Sequence, residues 1–491
     1  MSSLQAAAGA SGARRDRPAS PLLVATLSLV ALTVAVLQTG VVPILGVMAG
    51  QLDVSTVDVS WAVTANLLAA AASTPLIGRL ADLHTKKYVL LIVLAVVLAG
   101  SVLAATTASL PWLIVARVLQ GASFSLYPIG ISILREELPP ERMMSALAVL
   151  SAVLGFGGGM GLVITGLLMR GDAGYHRVFW FTTVFSVLVL VLAALFVPLR
   201  TATATGTVDW AGALGLAVGL SGALLALTQG KVWGWGSPLT LCSALVGLAV
   251  LALWWLWERR CDQPLVSTAM LSRRPVLLTN IATISVGMGL YFGFLGLTDL
   301  VQMPTASGYG FGATVLRASV VFLLPGAVVG FVIATVSGRY IDRFGARPVL
   351  LVGAGVGLVG YTMLAIFHSQ TWQVIVAALL INGYVSLAYG ALPALVIREV
   401  DTGETGVATS INAIARTVGA SVAAAIVAVL LSRHSSGNAF PPESSFTIVF
   451  ALGALSALIA MVLIGASHPR LRRIESVEEL SESRALNREW G

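Results

Sequence analysis

The sequence predicts an all-α polytopic membrane protein with fourteen transmembrane helices, and three observations predict it. Of 491 residues, 57% are hydrophobic and only 10% are charged, where a soluble globular domain carries about 25% charged residues. The mean hydropathy of +0.91 excludes a disordered chain, which is poor in apolar residues and rich in charge. The apolar residues also come in long runs parted by short polar breaks, and a bilayer asks for ~20 such residues per crossing. Cys242 and Cys261 are the two cysteines; they make no disulfide framework and have no metal-ligand spacing.

Taken in order, residues 1–21 are small, polar and basic, and read as a disordered cytoplasmic tail. The run from Leu22 is too long for a signal-peptide core and holds no cleavage site, so the tail stays attached. Helices are expected at about 22–49, 61–80, 88–107, 110–134, 144–168, 178–198, 210–229, 238–257, 276–303, 315–337, 348–367, 372–396, 405–432 and 446–467. The even number returns a second cytoplasmic tail, 469–491, to the side of Arg14, Arg15 and Arg17. This layout puts 22 Lys and Arg in cytoplasmic segments and 5 outside (Arg170, Arg177, Lys231, Arg317, Arg433). The remaining two, Arg117 and Arg416, fall inside helices. That asymmetry is the positive-inside rule, and Trp61, Trp112, Trp180, Trp210, Trp257 and Trp372 fall near helix ends, where indole favours the interface. The net charge of +7 therefore sets topology and is no nucleic-acid footprint. The expected partners are the lipid bilayer and whatever crosses it.

Two segments repeat. Gly78 to Leu90 reads GRLADLHTKKYVL and Gly338 to Leu350 reads GRYIDRFGARPVL. Their aspartates, Asp82 and Asp342, are 260 residues apart. Eight helices at about 33 residues each fit that distance better than six at about 43, so two extra helices separate the halves. Internal repeats of this kind mark transporters whose two bundles rock about a central site. The loop G-R-L-A-D-L-H-T-K-K resembles the signature loop of the major facilitator superfamily, and the two extra helices resemble its fourteen-helix drug/proton antiporter branch. Arg117-Val-Leu-Gln120-Gly121 matches that family's R-x-x-Q-G motif. Trp233 to Pro238 (WGWGSP), Trp257 to Leu265 (WERRCDQPL), Gln302, Leu324-Pro325 and Asn412-x-x-x-Arg416 match further segments in order. The resemblance implies two six-helix bundles, 22–198 and 261–468, with two additional central helices in 199–260. The chain departs from the pattern in three places. Its first helix has no carboxylate, with Gln38 the nearest polar residue; Thr85 replaces a loop glycine; and Leu162 stands where the fifth helix should carry proline.

In the family the repeated loop acts as a conformational latch, which carries over to Gly78, Asp82, Lys86, Gly338, Asp342 and Arg347. Asp82 and Lys86 are four apart and pair if the helix runs on; Asp82 can instead cap a neighbouring helix N-terminus. Interfacial charge that only fixes topology is the plainer reading. Arg117 inside an apolar run costs at least ~2.5 kcal/mol, and an unbroken helix places Gln120, Phe124 and Tyr127 on its face. These residues with Gln38, Asn382, Tyr389, Asn412 and Arg416 are the candidate wall of a substrate cavity. The alternative for both arginines is bonding to helix carbonyls or close packing. Asp299 is the only carboxylate inside an expected span; with Arg117 it is the candidate for proton coupling, or, near Arg317, an interfacial ion pair. Two arginines facing few acids bias the cavity towards neutral or anionic substrates. Gly155, Gly159 and Gly161 read as helix packing, and no strand precedes them to make a dinucleotide site. No catalytic grouping, metal cluster or cofactor motif is visible, so an enzyme, a metal and a cofactor are not expected. The reading that follows is a monomeric secondary transporter of the bacterial plasma (inner) membrane, exporting small hydrophobic or amphiphilic compounds such as drugs against proton influx. A lipid or metabolite exporter, an uncoupled facilitator and a non-transporting sensor are the alternatives.

Overall fold

The structure is a computed structural model and describes residues 21–169, 174–200, 206–431 and 440–467. Residues 1–20 and 469–491 of the expected tails, with Arg170 and Arg433, lie outside the described residues, while Pro21, expected in the tail, already opens the first helix. Among the described residues, fourteen helices are long and apolar enough to cross a membrane, and none of the expected spans is missing. They are α1 (Pro21–Leu52), α2 (Thr56–Leu83), α3 (Lys86–Thr106), α4 (Leu110–Glu137), α5 (Pro140–Leu168), α6 (His176–Phe196) and α7 (Trp210–Trp233). The series continues with α8 (Pro238–Glu258), α9 (Arg274–Gln302), α10 (Ala318–Phe344), α11 (Ala346–Ile366), α12 (Thr371–Arg398), α13 (Thr405–Leu431) and α14 (Glu443–Ala466).

Sequence explains where these helices start and break. Ser55 and Asp58 form a capping box at the head of α2, satisfying amides that have no partner in the first turn. Pro238 opens α8, where a missing N–H costs nothing. α1 stops at Thr39 and resumes at Leu45 after a tight turn around Pro43. α4 tightens to a 3-10 turn over Ala122–Ser125, and α10 begins with a wide π turn over Ala318–Leu323, ahead of Pro325. Such irregular turns are uncommon and cluster where a helix serves a site.

Within the first half, α1 packs on α5 and α6, α3 on α4 and α6, and α2 on α4. The second half repeats this, with α9 on α13 and α14, α11 on α12 and α14, and α10 on α12. The halves meet along two seams, α2 with α13 and α5 with α10. The extra helices are central in sequence and peripheral in space. α7 packs on α8 and leans on α2 and α13, while α8 turns Leu239, Leu245, Leu248 and Leu253 outward. A Cβ on Gly222 would lie 2.9 Å from Cα of Gly247, so small residues let the α7 and α8 backbones touch. Five of the six interfacial tryptophans are largely exposed; the sixth, Trp61, meets Trp233 of α7 with ring centroids 6.2 Å apart.

The repeated segments are mostly helix, not loop. α2 runs to Leu83 and α10 to Phe344, so Asp82 and Asp342 sit in last turns. Gly345 then turns the chain at φ +87°, a conformation that favours glycine. The equivalent Thr85 has φ −58°, which explains how the first copy dispenses with the glycine.

Candidate functional site: a central cavity between the two halves

Between the halves lies a cavity with about 160 Å³ open to the centres of water molecules, far above the ~10–15 Å³ that one water needs. Six expected residues line it: Gln38, Phe124, Tyr127, Asn382, Tyr389 and Arg416. Gln38 of α1 donates to the Tyr291 hydroxyl of α9 at 3.3 Å, a bond that crosses from one half to the other. The Tyr127 hydroxyl meets Ser151 Oγ at 2.9 Å, and Ser151 donates to the Tyr389 carbonyl at 3.0 Å. The two tyrosines are thereby fixed to α5 from opposite halves. The rest of the wall is apolar or small, including Leu154, Leu162, Phe294 and Ala327.

Arg117, Gln120 and Asn412 are not part of that wall. Arg117 is 1% exposed and its guanidinium donates to the Ala62 carbonyl at 3.0 Å, the Leu37 carbonyl at 3.3 Å and Gln120 Oε1 at 2.6 Å. Gln120 passes the chain on to Ser101 at 3.0 Å, and Asn66 donates to the Arg117 carbonyl at 2.9 Å. Leu37 lies in the last turn before the break in α1, where carbonyls lose their helical partners, and Arg117 replaces one of them. The expected single stripe from Arg117 to Tyr127 is split by the 3-10 turn. At 3.0 rather than 3.6 residues per turn, four residues rotate the face by about 80°. Phe124 and Tyr127 thus reach the cavity while Arg117 stays within the first half. Asn412 binds Thr283 at 2.8 Å and Asn280 at 3.1 Å on α9, holding two helices whose backbones are already close at Gly287 and Gly419.

Arg416 is different. Its guanidinium lies 4.6 Å from the Tyr389 ring centroid and 5.8 Å from that of Tyr127, within cation–π range. Among the described residues no carboxylate pairs with it, and no Asp, Glu, Lys or His lines the cavity. Asp299 also stands off the wall. The charge acting on it is Lys231 of α7, not the expected Arg317, to which no ion pair joins it among the described residues.

The glycines of α5 divide. A Cβ on Gly161 would strike α1 at Thr39 and lie 3.3 Å from Cα of Val36; one on Gly159 would lie 3.0 Å from the Ala327 Cβ of α10. Gly155, expected in packing, has nothing within 4 Å and faces the cavity.

At the end of the molecule that carries the repeated segments, Asp82 is 0% exposed and accepts from the amides of Gly406 and Val407, each at 3.0 Å. It therefore caps α13. Its expected pairing with Lys86 does not form: α2 ends at Leu83, and Lys86 instead makes an ion pair with Glu136. Gly78 packs against Gly406 and Ser410. Arg135 ties α4 to the same place, donating to the Val400 carbonyl at 2.8 Å and to Thr405 Oγ1 at 2.5 Å. In the second copy Asp342 is exposed and, among the described residues, meets only the Ser145 hydroxyl at 3.4 Å, although Gly338 packs on Met144 and Ser145. Arg347 donates to the carbonyls of Ile464 and Gly465, closing the end of α14. Nearby, the Arg200 guanidinium donates to the Glu137 carboxylate, and that bond holds it above its ordinary pKa. Among the described residues no three His, Cys, Asp or Glu side chains come together as metal ligands.

A family model described as Major Facilitator Superfamily matches residues 27–212, 200–424 and 311–490. The chain belongs to that superfamily. It is 27% identical over 358 residues to the uridine/deoxyuridine transporter of Lactococcus lactis, which covers 71% of this chain and 73% of that one. It is 29% identical over 410 residues to the tetracenomycin C resistance and export protein of Streptomyces glaucescens, covering 80% of this chain and 72% of the relative. The crystal structure of the human organic anion transporter MFSD10 (TETRAN) has the same fold, with a TM-score of 0.61, 17% identity, and 89% of this chain and 99% of that chain covered. The protein is thus a multi-pass membrane transporter and not an enzyme.

Within this superfamily fold the cavity is shaped by residues the motifs do not name. Tyr291, Thr39, Phe294 and Thr417 line it but belong to none of the short sequence motifs. Tyr291 and Phe294 left a trace in sequence, as aromatics among the glycines of α9.

Proposed function

We propose that this transporter exports small hydrophobic or amphiphilic compounds, drugs among them, across the bacterial plasma membrane by alternating access around the central cavity. The observation that carries the reading is the cavity itself: an apolar wall with a few amides, hydroxyls and one guanidinium, spanning both halves. The tetracenomycin export protein supports export, whereas the uridine/deoxyuridine transporter handles a nucleoside, so the relatives alone do not choose the compound. The basic loops and both tails lie in the cytoplasm in this reading, and the protein works as a monomer. The moving halves are 22–198 and 261–468, with 199–260 alongside. The caps at Asp82 and Arg135 are the latch that closes the cytoplasmic end.

Proton influx drives export if Asp299 is the carrier, facing Lys231 at the far end of α9. A facilitator without proton coupling is favoured by a separate observation, the lack of any carboxylate in the cavity wall. Proteoliposomes under an imposed pH gradient test both. Gradient-driven flux that disappears in Asp299→Asn establishes the proton route. Flux indifferent to the gradient establishes the facilitator, and no flux for any amphiphile defeats the export reading.

A further inference from the structure

We infer that the preferred substrate is an aromatic monoanion held by Arg416 between Tyr127 and Tyr389, and that the membrane potential drives its export without a proton. The inference rests on the export reading above. Among the described residues Arg416 is the only formal charge on the cavity wall, and its partners are two aromatic faces. A guanidinium always stays protonated, and its planar fork matches a carboxylate or sulfonate. Its hydrogen bonds remain available, since the rings take only its face. A bound monoanion makes the cavity neutral, a cation meets an unscreened like charge, and a neutral compound leaves the guanidinium without a counter-charge. The aromatic faces of Tyr127, Tyr389 and Tyr291 then accept the ring system of the substrate.

The charge balance supplies the driving force. The empty cavity carries one positive charge and the loaded cavity none. An inside-negative potential thus favours return of the empty, positive cavity to the inside, and each cycle moves one negative charge outward. No titratable group has to take part. One charge crossing 100 mV corresponds to 2.3 kcal/mol, roughly a 50-fold bias in the distribution of the substrate.

The test uses the full chain in proteoliposomes loaded with anilinonaphthalene sulfonate, with equal pH on both sides and a potassium–valinomycin potential. The expected result is efflux that follows the sign of the potential, approaches the 50-fold bias per 100 mV, and is unchanged by a superimposed pH gradient. Arg416→Gln, checked for folding by its elution in detergent, should lower the flux about tenfold or more, as loss of a charged hydrogen bond implies. Arg416→Lys keeps the charge but not the planar fork, and should restore the flux only in part while keeping its dependence on the sign of the potential. In detergent, the sulfonate should raise the melting temperature more than phenylnaphthylamine, the same ring system without the anion, and more than ethidium. Flux that requires a pH gradient, or persists in Arg416→Gln, overturns the inference. So does transport of ethidium in preference to the sulfonate, which leaves the export reading standing. Absence of flux for all three probes defeats both together.

Discussion

The two G-R-x-x-D segments occupy equivalent positions, each at the end of a helix on a seam between the halves, yet they do different work. The basic residue does the same thing in both: Lys87 donates to the Ala194 carbonyl at 2.8 Å and Arg347 to the Ile464 carbonyl at 2.9 Å, each closing the last helix of its own half. The glycine also does the same thing in both, letting its helix touch the partner across the seam. The aspartates diverge because the partner helices begin at different heights. α13 starts at Thr405, so Asp82 meets the amides of Gly406 and Val407 while they still lack helical partners. α5 starts at Pro140, so by Ser145 the amides are already bonded within the helix and Asp342 finds only a hydroxyl. One seam is therefore locked by a buried charge and buttressed by α7; the other is a plain packing contact. An inherited repeat thus serves both as a lock and as a bearing, according to where the next helix starts.

Substitutions that should separate these roles follow from that contrast. Asp82→Ala leaves two buried amides without an acceptor, at about 2–4 kcal/mol. In a chain with Cys242 and Cys261 replaced by Ser, a cysteine at Ser386 in the cavity wall should then be labelled far faster by an impermeant maleimide from the basic end. Unchanged labelling would mean that Asp82 does not hold the seam. Arg117→Met belongs to the fixed interior of the first half. It should cost about 2 kcal/mol of thermal stability while leaving the anion-over-cation preference of the cavity intact, whereas a changed preference would return Arg117 to the substrate site. Lys87→Ala and Arg347→Ala should each cost 0.3–1 kcal/mol, the usual worth of a cation at a helix C-terminus, and should match one another. Asp342→Ala should fall within ~0.5 kcal/mol and leave the maleimide labelling unchanged; an effect as large as that of Asp82→Ala would erase the distinction between the seams.

Much of the candidate site could be read from the residues, but not which polar residues belong to it. Gln38, Asn382 and Tyr389 were legible because polar and aromatic side chains in apolar runs need a reason to be there. Arg117 and Arg416 look alike in sequence, each an arginine inside a membrane-length helix with an amide about one turn away. They part in space because Arg117 finds the carbonyl freed by the break in α1, while Arg416 has only rings beside it. Gly155 and Gly161 are similarly indistinguishable along α5, and only the approach of α1 decides that Gly161 is a packing residue and Gly155 a piece of the cavity wall. Asp299 was legible as an oddity, but the nearby charge that acts on it was not, since Lys231 comes from a helix that the repeat does not include.

By itself, then, the sequence determined the number of helices and the approximate run of each, because both depend on local composition: apolar run length, proline and capping residues. The ends slipped where the apolar run fades, as in α10, which continues to Phe344. It also determined the repeat and with it the two halves. The tertiary structure alone decided which face of each helix meets which neighbour. A 3-10 turn in α4, a break in α1 and the starting height of α13 each move side chains by a fraction of a turn. In a close-packed bundle that fraction separates a saturated arginine from one open to the cavity, and a buried lock from an exposed carboxylate.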